Sequence, residues 1–95
     1  MSKRRIIFSP RASQRMGEIS DYLYKQQLSA TFVCAYMNRF EIWLDMVLGE
    51  FPDSGMLMPE YGDDIRRVVY KEYSFIYRNM GTQIEILTVY RENKP

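Results

Sequence analysis

Histidine is absent from this 95-residue chain. With it go the commonest general base, any Ser-His or Cys-His pair and most zinc sites. Chemistry here would have to use Arg, Lys, Tyr or a carboxylate. Cysteine occurs once, as Cys34, so no internal disulfide or thiolate metal cluster can form. Between Val33 and Ala35 in a helical pattern, Cys34 reads as a small packing residue rather than a reactive thiol. No cofactor and no metal are expected. No apolar run approaches the ~20 residues of a membrane span, and Ile6-Ile7-Phe8 is too short for the apolar centre of a signal peptide. The expectation is a cytoplasmic protein with no membrane partner.

Acidic residues are missing from 1–15, where Lys3, Arg4, Arg5, Arg11 and Arg15 stand. The segment 16–62 is acidic, and 63–95 is nearly balanced, with arginines inside apolar runs. The net charge of +1 is small for a nucleic-acid binder, and residues 3–5 read equally well as a solvated basic terminus. What is present is globular: 46% apolar and 26% charged residues, enough for one domain over residues 1–95 with a single core.

Arg66 to Arg91 organises the rest. It divides into three expected strands, Ile65–Tyr70, Tyr73–Arg78 and Ile84–Tyr90, rich in Val, Ile, Tyr and Phe. Lys71-Glu72 and Asn79-Met80-Gly81-Thr82 separate them, and Gly81 supplies the positive φ of a tight hairpin. An even-length turn sets Phe75 opposite Ile86 and Tyr77 opposite Ile84, whereas a three-residue turn would set Phe75 against Glu85. Unbroken alternation then gives one face Val68, Tyr70, Tyr73, Phe75, Tyr77, Ile84 and Ile86. The other receives Val69, Ile76, Leu87 and Val89, bordered by Arg67, Arg78 and Arg91. The first face is expected to lie under helices and the second to form a partly open groove with a basic rim.

Upstream, Arg4–Phe8 is a short strand stopped by Ser9-Pro10, which also starts a helix: Ser9 as N-cap, Pro10 at the first helical position. Ala12, Met16, Ile19 and Leu23 form its apolar stripe. Gly17 weakens this helix by roughly 1 kcal/mol relative to Ala, and suggests a close approach to a neighbour. A second helix starts at Ser29, with a stripe of Val33, Tyr36, Phe40, Trp43 or Leu44, Val47 and Phe51. Phe40 and Leu44 are expected in the core; Trp43 reads as core, with an interface as its alternative. The short link predicts an antiparallel helical hairpin. Residues 49–63 read as a loop whose Met56, Leu57 and Met58 either fold back over the core or serve a partner site. The fold class is α+β, in the order β-α-α-β-β-β, with a helical hairpin on a small, mainly antiparallel sheet.

These residues, in this order, resemble the RelE/ParE superfamily of type II toxin–antitoxin toxins. Ser9-Pro10-Arg11-Ala12 is similar to the family's SP-x-A helix start, and Ile19-Ser20-Asp21-Tyr22 follows in the first helix. Phe51-Pro52-Asp53-Ser54-Gly55 is similar to its P-x-x-G loop. After Gly62 come Arg66-Arg67-Val68-Val69, Tyr73, Tyr77-Arg78 and Ile84-Glu85-Ile86-Leu87-Thr88-Val89. The resemblance implies one of two activities. RelE-like members cleave ribosome-bound message with Arg, Lys and Tyr or another general acid/base on the sheet. ParE-like members inhibit DNA gyrase.

In many members an Arg follows the tyrosine of the third strand; here Ser74 follows Tyr73. Pro59, Glu60, Asp63 and Asp64 stand where RelE-like toxins carry lysines, and acids there oppose stabilisation of charge on phosphate. The ParE-like reading is favoured: a non-enzymatic gyrase inhibitor, hetero-oligomeric with a cognate antitoxin. It would bind target or antitoxin through Arg66, Arg67, Arg78, Arg91, Ile76 and Leu87. The alternative is a metal-independent endoribonuclease acting on ribosome and mRNA through Arg67, Arg78, Arg91 and Tyr73. A third reading is an inactive relative that only binds its antitoxin. More plainly, Arg66 and Arg67 could pair with Asp63 and Asp64, and Tyr73 and Tyr77 could be core residues with surface hydroxyls.

Overall fold

The structure is a computed structural model describing residues 3–92. Strand β1 (Arg5–Phe8) leads through Ser9 into helix α1 (Pro10–Lys25). The Ser9 Oγ accepts from the Ala12 N–H at 3.0 Å and donates to the Leu87 carbonyl at 2.8 Å. One hydroxyl thus caps the helix and ties its start to the sheet. Helix α2 (Ala30–Glu50) begins in the same way, with Ser29 Oγ accepting from Phe32 N–H at 3.1 Å.

The sheet has five strands in the order β1-β5-β4-β3-β2. Three are those expected: β3 (Ile65–Tyr70), β4 (Tyr73–Asn79) and β5 (Gln83–Arg91). They pair antiparallel, while β1 runs parallel to β5 at one edge. The other edge is β2 (Met56–Leu57), which pairs antiparallel with Arg66 and Arg67. Residues 49–63 are therefore more than a loop. Met56 and Leu57 lie exposed on that edge, so they do not fold over the core.

Both helices cover one sheet face. Ala12, Ile19 and Leu23 of α1 and Val33, Phe40, Leu44 and Leu48 of α2 close on Val68, Tyr73, Phe75, Tyr77, Ile84, Ile86 and Val89. Phe40 is the hub, with ring centroids of Tyr36, Tyr70, Tyr73 and Phe75 at 5.3, 5.6, 5.4 and 5.7 Å. Trp43 packs at the margin of this core, stacked on Tyr70 at 4.7 Å. Three expectations are corrected. Cys34 is exposed, since one step along a helix turns it about 100° from buried Val33. Phe51 is 63% exposed because the chain leaves helical geometry there. Gly17 makes no close approach: a Cβ there would meet nothing within 4 Å.

The β4–β5 turn is even, as expected, but centred one residue later, on Gly81-Thr82. Met80 N–H bonds to the Gln83 carbonyl at 2.8 Å, and Gly81 takes φ +91°. Tyr77 consequently faces Ile86, not Ile84. Beyond that pair the register shifts: Ile76 faces Thr88 and Phe75 faces Val89, leaving Leu87 as the extra residue of a β-bulge. The bulge turns Val89 and Arg91 onto the helix-covered face, against the unbroken alternation read from the sequence.

Candidate functional site

The expected rim of Arg67, Arg78 and Arg91 does not form on one face. Arg67, Ile76 and Arg78 share the face opposite the helices with Val69, Ser74, Glu85, Thr88 and Tyr90, as cross-strand pairing requires. Ile76 is 1% exposed, while Val69 and Arg78 are open to solvent. Leu87 occupies the bulge and is half-buried. This open face keeps two of the three rim arginines and an apolar centre.

Arg67 is held in place. Its Nε donates to Ser74 Oγ at 3.0 Å, its Nη2 pairs with Glu92, and Ser74 Oγ also donates to Glu92. The Glu92 carboxylate raises the Arg67 pKa further above its ordinary value, chiefly through that hydrogen bond. Ser74 is fully buried, so this group joins three strands' worth of sequence at one polar point. Neither Asp63 nor Asp64 is the partner of Arg66 or Arg67. Arg66 donates to the carbonyls of Asp53 and Gly55 at 3.1 and 2.8 Å, with the Asp53 carboxylate at 3.8 Å. It clips the 51–57 segment to the sheet.

Tyr77 holds the same segment from inside. Its hydroxyl donates to the Pro52 carbonyl at 2.7 Å and accepts from the Gly55 N–H at 3.0 Å. Gly55 is obligatory there, because a Cβ would come within 2.6 Å of that hydroxyl and 2.8 Å of the Arg67 carbonyl. Burial raises the Tyr77 pKa, partly offset by the Gly55 hydrogen bond. The hydroxyl is therefore interior and structural, not a surface group.

Arg91 and Tyr73 lie on the helix side at the far end of the sheet. With Arg15, Glu18, Ile19, Tyr22, Val89 and Tyr90 they line an open cleft of about 290 Å³ between α1 and β5. Arg91 pairs with Glu72 at 3.1 Å and lies 5.8 Å from the Tyr22 ring centroid. Hydrogen bonding to Tyr22, then the charge of Glu72, raises its pKa. Tyr73 is 4% exposed, and burial keeps its hydroxyl protonated to higher pH than usual. Sequence reasoning missed Tyr22, Glu72 and Glu92, which reach these arginines only through the fold. Ser74, a serine between Tyr73 and Phe75 near the start of an otherwise largely apolar strand, was the available signal of the Arg67 network.

Among the described residues no three His, Cys, Asp or Glu side chains gather as a metal site requires, and no helix is long and apolar enough to cross a membrane. A scan against protein-family models and a search of curated proteins find no match. Among solved structures, a chain of the one described as "Chromosomal ParDE TA system from P. aeruginosa" superposes with a TM-score of 0.73. The match covers 96% of this chain and 98% of that one, at 16% sequence identity. At such low identity the likeness is one of fold, and it extends over both chains almost end to end. The chain has a ParE-like fold.

Proposed function

We propose that this protein is the toxin of a type II toxin–antitoxin pair, acting in the ParE manner by inhibiting DNA gyrase and silenced by a cognate antitoxin. The observation that carries this reading over the nuclease alternative is the placement of the four residues a nuclease would need. Cleavage requires a general acid/base and phosphate-stabilising cations to converge on one phosphate. Arg67 and Arg78 stand on the open face and Tyr73 and Arg91 on the helix side, with the sheet between them. Arg67 is further committed to Ser74 and Glu92. A binding surface needs no such convergence. The open face offers Arg78, Val69 and Tyr90 around Ile76, the mixture of arginine, aromatic and aliphatic groups that anchors protein interfaces.

On this reading the protein works in the cytoplasm, where gyrase is, and is stored as a hetero-oligomer with its antitoxin. The antitoxin segment, largely disordered when free, would fold over the toxin. Inducing the chain in a bacterium and following DNA and protein synthesis separately tests the assignment. Early loss of DNA synthesis with an SOS response is expected; early loss of translation with cut message would overturn it. In vitro, Arg78→Ala should weaken gyrase inhibition by ~1–3 kcal/mol, the range of a charge-assisted contact, while the parent protein leaves ribosome-bound message intact.

A further inference from the structure

Lys71 sits at the corner of the β3–β4 hairpin with φ +57°, a region that a residue with a Cβ enters only against steric resistance. Its ammonium lies 4.9 Å from the Tyr36 ring centroid and 5.6 Å from that of Tyr70. Both distances are within cation–π range. The neighbouring Glu72 carboxylate is engaged with Arg91, so ring faces rather than an acid hold this charge.

Those rings belong to a larger shelf. Phe32 stacks on Tyr36 at 6.0 Å and Trp43 on Tyr70 at 4.7 Å, while Phe40 braces Tyr36 and Tyr70 from the core at steep interplanar angles of 79° and 82°. The stacking covers one face of Tyr36 and one of Tyr70; Tyr36, Trp43 and Tyr70 are half-buried, and Phe32 is 47% exposed. Two braced tyrosine rings with a cation already seated over them have a defined complement.

We propose that the Tyr36–Tyr70 shelf is a recognition site for an arginine side chain of a protein partner, with Lys71 as its built-in competitor. The ring quadrupoles supply the charge complementarity, and the seated ammonium shows where a cation rests. An arginine suits the place better than the lysine now there, because a planar, weakly hydrated guanidinium stacks on aromatic faces. Lys71 is exposed, and its hydrated ammonium can swing into water on a flexible stem. A single guanidinium on an open ring face is held weakly but saturably, within the cation–π range of a few kcal/mol at most, and the partner around the arginine would supply the rest of the affinity. This inference is independent of the gyrase reading.

Trp43 is the only tryptophan and reports directly on the shelf. The test titrates N-acetylarginine amide into the parent and into Lys71→Gly, following Trp43 emission against sodium chloride of equal ionic strength. Glycine suits the backbone at position 71, so this variant should fold, which its thermal transition checks. The expected result is a saturable change in Lys71→Gly with a half-point at least threefold lower than in the parent. Adding Tyr36→Leu, or Tyr70→Leu where that double variant fails to fold, should remove it. Equal half-points in parent and Lys71→Gly, a response that survives loss of the ring, or one that sodium chloride reproduces would each overturn the proposal. Tetramethylammonium runs in parallel: saturation by it but not by the arginine derivative would overturn the assignment to arginine.

Discussion

Removing one oxygen atom, in Tyr77→Phe, tests how the 51–57 segment is held. Tyr77 is fully buried, and its hydroxyl bridges the Pro52 carbonyl and the Gly55 N–H. Phenylalanine fills the same volume, so packing is preserved and the loss is polar. The Gly55 N–H is left buried without its acceptor, and the half-buried Pro52 carbonyl loses its donor. One stranded buried group costs about 1–3 kcal/mol, and water can reach the carbonyl, so the total should be ~2–3 kcal/mol. For a domain of this size that lowers Tm by roughly 8–24 °C. The assay is thermal and urea unfolding followed by circular dichroism. The alkaline limb gives a second reading. Burial raises the Tyr77 pKa above its ordinary value near 10, so the unfolded chain loses this proton first, and stability falls as pH rises from about 10 through the native pKa. Tyr77→Phe should lose stability less steeply there. Tyr36 and Tyr73, also raised mainly by burial, keep some slope. A Tm within about 3 °C of the parent, with an unchanged alkaline limb, would refute the account of a buried bridge.

Phe40→Ala removes the hub on which four rings converge, and should cost ~3–5 kcal/mol in urea unfolding, a large share of the stability of so small a domain. Gly17→Ala should do the reverse. Its Cβ would enter open space on an exposed turn of α1, so helix propensity alone acts and unfolding should become harder by ~0.5–1 kcal/mol.

The elements legible in the sequence are those set by local chemistry. Ser9-Pro10 and Ser29 define helix starts because a hydroxyl reaches an N–H three residues on. The stripe of Ala12, Ile19 and Leu23 follows from helix geometry alone. Partners distant in sequence were not legible. Arg66 sits beside Asp63 and Asp64 in the chain yet binds Asp53 and Gly55, because β2 folds back along β3. Arg67 meets Glu92 from the far end of the sheet. At two residues β2 is too short to show any periodicity; only its pairing makes it a strand.

The bulge at Leu87 decides which arginines share a face, and the sequence does carry its trace. Ile84 and Ile86 are two apart, but the next fully apolar core residue, Val89, comes three later. Unbroken alternation would turn Thr88 and Tyr90 inward and leave Val89 in water; one extra residue puts Val89 at 1% exposure. If Leu87 is only that extra residue, deleting it leaves Ile86 opposite Tyr77 and Thr88 opposite Ile76, and nothing changes sides. The loss should then be confined to the Ser9–Leu87 hydrogen bond and a half-buried side chain, ~1–2 kcal/mol. Deleting Glu85 instead makes Ile84 and Ile86 adjacent, so one of two fully buried isoleucines must leave the core. That alone costs ~1.5–3 kcal/mol, and the parallel pairing with β1 is displaced as well. Urea unfolding should rank the Leu87 deletion well above the Glu85 deletion in stability, with Arg91 still paired to Glu72. If the two deletions cost the same, Leu87 is a pairing residue and the arginine faces must be drawn again.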